Sequence, residues 1–169
     1  MRMFKATSTL LLLLLFAILA ARPAAAQLAV GETPAAVTVA DLEGEPFELA
    51  SVIGQKPTLV QFWATWCAVC KALEPRIRAE VERYGEDLEV LVVAVGVAQT
   101  LPQVKAHVAR MPAAGTMLWD AEGAAVRAFD APETGVLIML DAAGRVVGSG
   151  AGAQQDVAAL VAKGMGGRR

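Results

Sequence analysis

Apolar positions follow two rhythms along this chain. Thr58–Trp63 (Thr-Leu-Val-Gln-Phe-Trp) and Leu88–Val95 (Leu-Glu-Val-Leu-Val-Val-Ala-Val) are nearly unbroken apolar runs. Runs of that length and character predict central strands covered on both faces. Between them Leu73, Ile77, Val81 and Tyr84 return at helical spacing, with charged residues interleaved. That pattern predicts a helix over Cys70–Tyr84, kinked at Pro75 and ended by Gly85. Further on, Leu101–Arg110 and Ala124–Phe129 read as helices and Thr116–Trp119 as a short strand. Val136–Leu140 is a third apolar strand, and Asp141-Ala142-Ala143-Gly144 turns it into Arg145–Ser149. Gln154–Lys163 reads as a closing helix, and the end beyond it as frayed. Upstream, Ala36–Val39 and Phe47–Leu49 are short β-prone pieces around the turn Asp41–Pro46, preceded by a flexible lead over Gln27–Pro34. The alternation predicts one α/β domain, a mixed sheet flanked by helices.

The first residues carry a different signal. Arg2 and Lys5 precede the unbroken apolar run Leu10–Ala21, and Ala24-Ala25-Ala26 offers small residues for a signal peptidase. The run is 12 residues long, short of the ~20 a spanning helix needs. A cleavable signal peptide over residues 1–26 is expected, with residues 27–169 as the mature domain and the periplasm as its location. The alternative is an uncleaved N-terminal anchor facing the same compartment.

Removing that leader takes away three positive charges and moves the formal charge from −2 to −5. An acidic surface argues against nucleic acid as a partner. About 143 remaining residues suit a single domain with an adequate core, expected as a monomer.

Chemistry concentrates in Trp66-Cys67-Ala68-Val69-Cys70, which holds both cysteines of the chain. If Thr58–Trp63 is a strand and Cys70 begins a helix, Cys67 lies where unpaired N–H groups and the helix dipole favour its thiolate. In such settings a cysteine pKa falls from ~8.5 to roughly 3.5–7.5. Cys67 is then the attacking thiolate, more exposed, and Cys70 the resolving thiol, shielded one turn in. A structural disulfide closing so short a loop removes little chain entropy. Zinc wants four ligands, and the pair has only a distant His107, read as a surface residue, to join it. Copper(I), held by two soft thiolates, is a better competitor. Trp63 reads as core and Trp66 as a partly exposed apolar platform for substrate.

Phe62-Trp63-Ala64-Thr65-Trp66-Cys67-Ala68-Val69-Cys70-Lys71, followed by Pro75, resembles the active-site segment of thioredoxin-like proteins. With an export signal it is most similar to the TlpA/ResA-type thiol-disulfide oxidoreductases of bacteria. Ala40–Leu49 resembles the N-terminal hairpin of that group. The resemblance implies a thioredoxin-like fold with a β-hairpin extension, and a dithiol that reduces protein disulfides without a cofactor. It also implies a membrane electron donor as partner, and apo-cytochrome c as one candidate substrate. It further implies a cis-proline opposite the dithiol, for which Ala131-Pro132 is the candidate, offering a backbone edge for a substrate peptide. Two positions depart from the pattern. Gln61 stands where many thioredoxins carry a buried acid, and Leu73 where ResA-like reductases carry a glutamate, leaving water or Glu74 to take the proton of Cys70. The direction of electron flow stays open between reductase and dithiol oxidase, and a copper(I)-handling module or an inert bridge stand as the other classes.

Overall fold

The computed structural model describes residues 28–166. The proposed signal peptide, with its cleavage site, lies outside those residues. Among the described residues seven strands form one mixed sheet: β1 (Thr38–Asp41), β2 (Pro46–Glu48), β3 (Thr58–Trp63), β4 (Glu89–Val95), β5 (Thr116–Asp120), β6 (Leu137–Leu140) and β7 (Val146–Gly150). Their order across the sheet is β2-β1-β5-β4-β3-β6-β7. The helices are α1 (Ala68–Tyr84), α2 (Leu101–Val108), α3 (Ala124–Ala128) and α4 (Val157–Gly164). This is the expected thioredoxin-like α/β architecture.

β3 lies inside the sheet, between β4 and β6, because its sequence tolerates no water. All six of its residues are buried. It pairs in parallel with β4 from Thr58–Glu89 to Trp63–Ala94, and antiparallel with β6 from Thr58–Leu140 to Gln61–Leu137. Leu59, Val60 and Phe62 have no solvent exposure, and each such side chain contributes about 1.5–3 kcal/mol by burial. The Phe62 ring meets Phe129, just past α3, edge to face at 5.7 Å. Alternate residues therefore face opposite layers: Val60 and Phe62 toward α3, and Leu59, Gln61 and Trp63 away from it.

The predicted hairpin forms, with Thr38–Glu48 and Ala40–Pro46 as its outer pairs, and β1 then adds antiparallel to β5. α1 runs unbroken through Pro75, and Gly85 ends it at φ 53°, its N–H bonded to Val81 O. Three expectations shift. The lead is tied down: Gly31 N–H donates to Val146 O at 2.7 Å and Val146 N–H to Glu32 O at 2.8 Å. The closing helix begins at Val157, because Asp156 caps it by accepting the Ala159 N–H at 2.9 Å. Met165, expected in a frayed end, is buried.

The β6–β7 turn is built on Asp141. One carboxylate oxygen accepts the N–H groups of Ala143 and Arg145, each at 2.9 Å, and the other accepts from the Arg145 guanidinium at 2.9 Å. Partial burial pushes the carboxyl pKa up, but these donors outweigh it and hold it below its ordinary 3.8. A depressed folded-state pKa stabilises the fold above the unfolded value, and the contribution is lost as pH falls through the folded one. Asp141→Asn should therefore destabilise the domain at neutral pH by up to about 1 kcal/mol. Urea denaturation should show the gap to wild type closing as the solution is acidified toward pH ~3.

Candidate active site

The junction between β3 and α1 carries the dithiol. The chain leaves the sheet at Trp63, turns through Ala64-Thr65-Trp66, and enters α1 with Cys67 as its N-cap. The turn is pinned from outside. Gln99, itself buried, accepts the Thr65 N–H at 2.8 Å and donates to Val95 O at 2.6 Å. The Trp66 indole donates to Val97 O at 3.0 Å. Nothing in the periodicity marked Gln99, because its role depends on where the β4–α2 loop returns.

Cys67 and Cys70 form a disulfide, with Sγ atoms 2.05 Å apart. Cys67 Sγ accepts the Cys70 N–H at 3.0 Å, the bond a serine or aspartate oxygen makes at an ordinary N-cap. This donor and the start of a 17-residue helix face the sulfur. Cys67 is 7% exposed and Cys70 1%. The order of exposure agrees with the expectation, while Cys67 is more enclosed in its oxidised state than the sequence implied. Cys70 Sγ lies 3.7 Å from Phe62 O, an acceptor for its S–H once the disulfide opens.

Both cysteines border a groove of roughly 720 Å³ between α1 and α2, whose walls include Trp63, Trp66, Met111 and Pro112. Trp66 is 51% exposed and Met111 52%. Trp63 is buried, as expected of a core residue, yet its edge also reaches the groove. His107 differs from its reading as a remote surface residue: it is half-buried, lines this groove and meets the Trp63 ring edge to face at 5.2 Å. Its place followed from how α2 packs, which its own neighbours in sequence did not reveal. Glu74 lines the groove as well, with its carboxylate bonded to Arg78 at 2.6 Å. Gln61 is fully buried, and both ends of its amide lack a hydrogen-bond partner in the protein.

The expectation for Ala131-Pro132 is corrected. No peptide bond among the described residues is cis. Ala131 is buried, with its N–H bonded to Val126 O at 2.9 Å, and Pro132 is exposed at the surface. The residue that reaches the dithiol is Gly135. Its N–H donates to Phe62 O at 2.7 Å and Phe62 N–H donates to Val136 O at 3.1 Å, so the chain is already alongside β3 at Gly135. Pro132 lies three residues upstream of that point. Gly135 has φ +84°, and a Cβ there would stand 2.5 Å from Val69 Cγ1 and 3.8 Å from Cys67 Sγ. Any side chain would collide with the segment between the cysteines. The fixed φ of proline, near −65°, could not take this conformation. Sequence reasoning fixed on the proline because a conspicuous residue type stood close to the right place; a glycine next to an apolar strand carries no comparable mark.

Among the described residues, no three His, Cys, Asp or Glu side chains gather into a metal-binding group, and no helix is long and apolar enough to cross a membrane.

Comparison with known proteins agrees with this geometry. The family model described as Redoxin matches residues 29–162. A thioredoxin-like protein of Haemophilus influenzae is 39% identical over 59 residues, covering 35% of this chain and 34% of that protein. The chain thus spans about a third of the length of that relative. Thioredoxin C-2 of Corynebacterium nephridii is 29% identical over 104 residues, covering 62% of this chain and 94% of that one. Among solved structures, a secreted Mycobacterium tuberculosis disulfide oxidoreductase homologous to E. coli DsbE superposes with a TM-score of 0.61 at 22% identity, over 77% of this chain and 95% of that one. The match over most of the chain, with a thioredoxin-like sheet and a Cys-x-x-Cys pair capping the first helix, places this protein in the Redoxin family.

Proposed function

We propose that this chain is an exported thiol-disulfide oxidoreductase of the TlpA/ResA type that reduces disulfides in other proteins. One observation carries the reading: a cysteine sulfur caps a long helix at the edge of an open groove, with its partner sulfur recessed behind it. An inert bridge needs neither the cap nor the groove. The likeness to a thioredoxin over most of that protein's length supports it, and the apolar leader of the sequence supports export.

In the reduced protein Cys67 is the thiolate, and its charge strengthens the N–H···S bond from Cys70. It attacks one sulfur of a substrate disulfide in the groove. That S–S bond breaks, the far substrate sulfur leaves as a thiolate and takes a proton, and a mixed disulfide to Cys67 remains. Cys70 then gives up its proton and attacks Cys67 Sγ. The Cys67–Cys70 bond forms, and the second substrate sulfur departs as a thiolate, so the substrate has gained two electrons. A dithiol protein at the membrane would return two electrons and open the disulfide again. Phe62 O can hold the Cys70 proton but cannot remove it, and the Gln61 amide does not titrate. Water or Glu74 at the groove would receive it. Trp66, held by Val97 O, offers the substrate an apolar platform, and the turn at Thr134-Gly135 offers a backbone lip in the place the sequence assigned to Ala131-Pro132.

Cys67→Ser should abolish disulfide exchange with a peptide disulfide. Cys70→Ser should retain the first step and accumulate a covalent mixed disulfide, visible by mass spectrometry as a stoichiometric adduct. Equal inertness of both variants and of wild type would remove the enzyme reading, and tight copper(I) binding by that inert reduced protein would put a metal-handling module in its place. Equilibration with glutathione sets the direction. A potential near that of thioredoxin, about −270 mV, fits a reductase, and one near −120 mV an oxidase.

A further inference from the structure

Gln155 belongs to the connection between β7 and α4, a segment that supplies no atom to the dithiol chemistry. Its side-chain Nε2 donates to Gly135 O at 2.9 Å and to Gly152 O at 2.9 Å. Its Oε1 is buried without a partner and lies 2.5 Å from where a Cβ on Gly150 would stand. The bare α-carbon of Gly150 is what lets the amide pass. Turning the amide over would set its oxygen against two carbonyl oxygens, so only the donor-inward orientation is favourable. The main chain of the same segment is fastened to the dithiol helix: Arg76 of α1 donates Nη1 to Gln155 O at 2.9 Å, and its other terminal nitrogen bonds Ala153 O.

Gly135, the residue this amide holds, lies beside the dithiol. Its N–H donates to Phe62 O, the same oxygen that lies 3.7 Å from Cys70 Sγ. Its α-carbon backs onto Val69 and Cys67 Sγ. A glycine at positive φ has little conformational preference of its own, so its position must be fixed by its neighbours. β3 holds the N–H side and Gln155 the carbonyl side.

We propose that Gln155 is a positioning residue for disulfide exchange: its amide clamps Gly135 against the Cys67–Cys70 pair and so fixes the lip on which a substrate disulfide seats. The proposal rests on the oxidoreductase reading above. Attack on a disulfide needs near-linear alignment of three sulfurs, and a displacement of about 1 Å at a positioning group can cost on the order of 10²-fold in rate. Loss of the clamp frees the carbonyl of Gly135 and lets the 132–135 strap lift. A peptide substrate that leans on the strap suffers from this, whereas a small dithiol that attacks Cys67 unaided suffers far less.

The test uses the full chain with two probes, a synthetic peptide bearing one intramolecular disulfide and dithiothreitol. Gln155→Met keeps the length and removes the amide. It should lower kcat/KM for the peptide about tenfold while slowing dithiothreitol reduction of the Cys67–Cys70 bond far less. Gln155→Glu places an acceptor against Gly135 O when ionised and a donor when protonated. Its deficit relative to wild type should therefore be largest at alkaline pH and shrink on acidification, a profile that a packing defect does not produce. Hydrogen exchange of the Gly135 amide should be faster in Gln155→Met than in wild type, because the strap that carries this N–H is no longer held at its carbonyl. Wild-type kcat/KM in Gln155→Met, an equal loss toward both probes, a pH-independent deficit in Gln155→Glu, or unchanged Gly135 exchange in Gln155→Met would each overturn the proposal. A wild type inert toward both probes would instead overturn the oxidoreductase reading beneath it.

Discussion

A single N–H···S bond organises this molecule: the Cys70 amide to Cys67 Sγ at 3.0 Å, at the first turn of α1. Most helices cap that turn with an oxygen. Here a sulfur takes the place, so the group that completes the helix is also the group with redox chemistry. Everything around it serves to keep a strand end and a helix start in register. The fully buried β3 fixes the strand end. Gln99 and Val97, on the loop after β4, fix the turn. Cys70, one helical turn on, is sealed against Phe62 O.

The asymmetry between the two sulfurs follows from this geometry. An N-cap residue sits half outside the helix, with an extended backbone, and its side chain can meet the groove. A residue three positions later is inside the first turn and faces the sheet. In the proposed mechanism, attack and resolution are thus divided between two chemically identical residues by helix geometry. Removal of the Cys70 proton is less well provided for. The buried strand before the motif carries an amide, Gln61, which cannot titrate, and Glu74 at the groove is engaged by Arg78.

Much of the fold was legible because its decisive segments are monotonous. Thr58–Trp63 is apolar on both faces and was read to the residue. The α1 stripe of Leu73, Ile77 and Val81 and the stop at Gly85 were equally plain. The pair Cys67/Cys70 stood out by residue type and spacing. What the sequence hid were contacts made by segments returning from elsewhere. Pro132 drew attention as a proline, yet Gly135 lies against the sulfurs, because the chain has already joined β3 there. Gln155 was counted as helix, because nothing local shows that its amide turns inward across Gly150 while Asp156 begins the helix. His107 was set apart from the cysteines, and only the packing of α2 brings it to the same groove. In each case the decisive contact is long-range, and the local pattern does not contain it.

The central claim is that the cap makes Cys67 a thiolate at neutral pH, and alkylation of the reduced protein by iodoacetamide as a function of pH tests it most directly. With Cys70→Ser removing the second thiol, the account predicts a rate profile for Cys67 with its midpoint well below ~8.5. A midpoint at or above that value, or a sulfur that does not react at any pH, would contradict it.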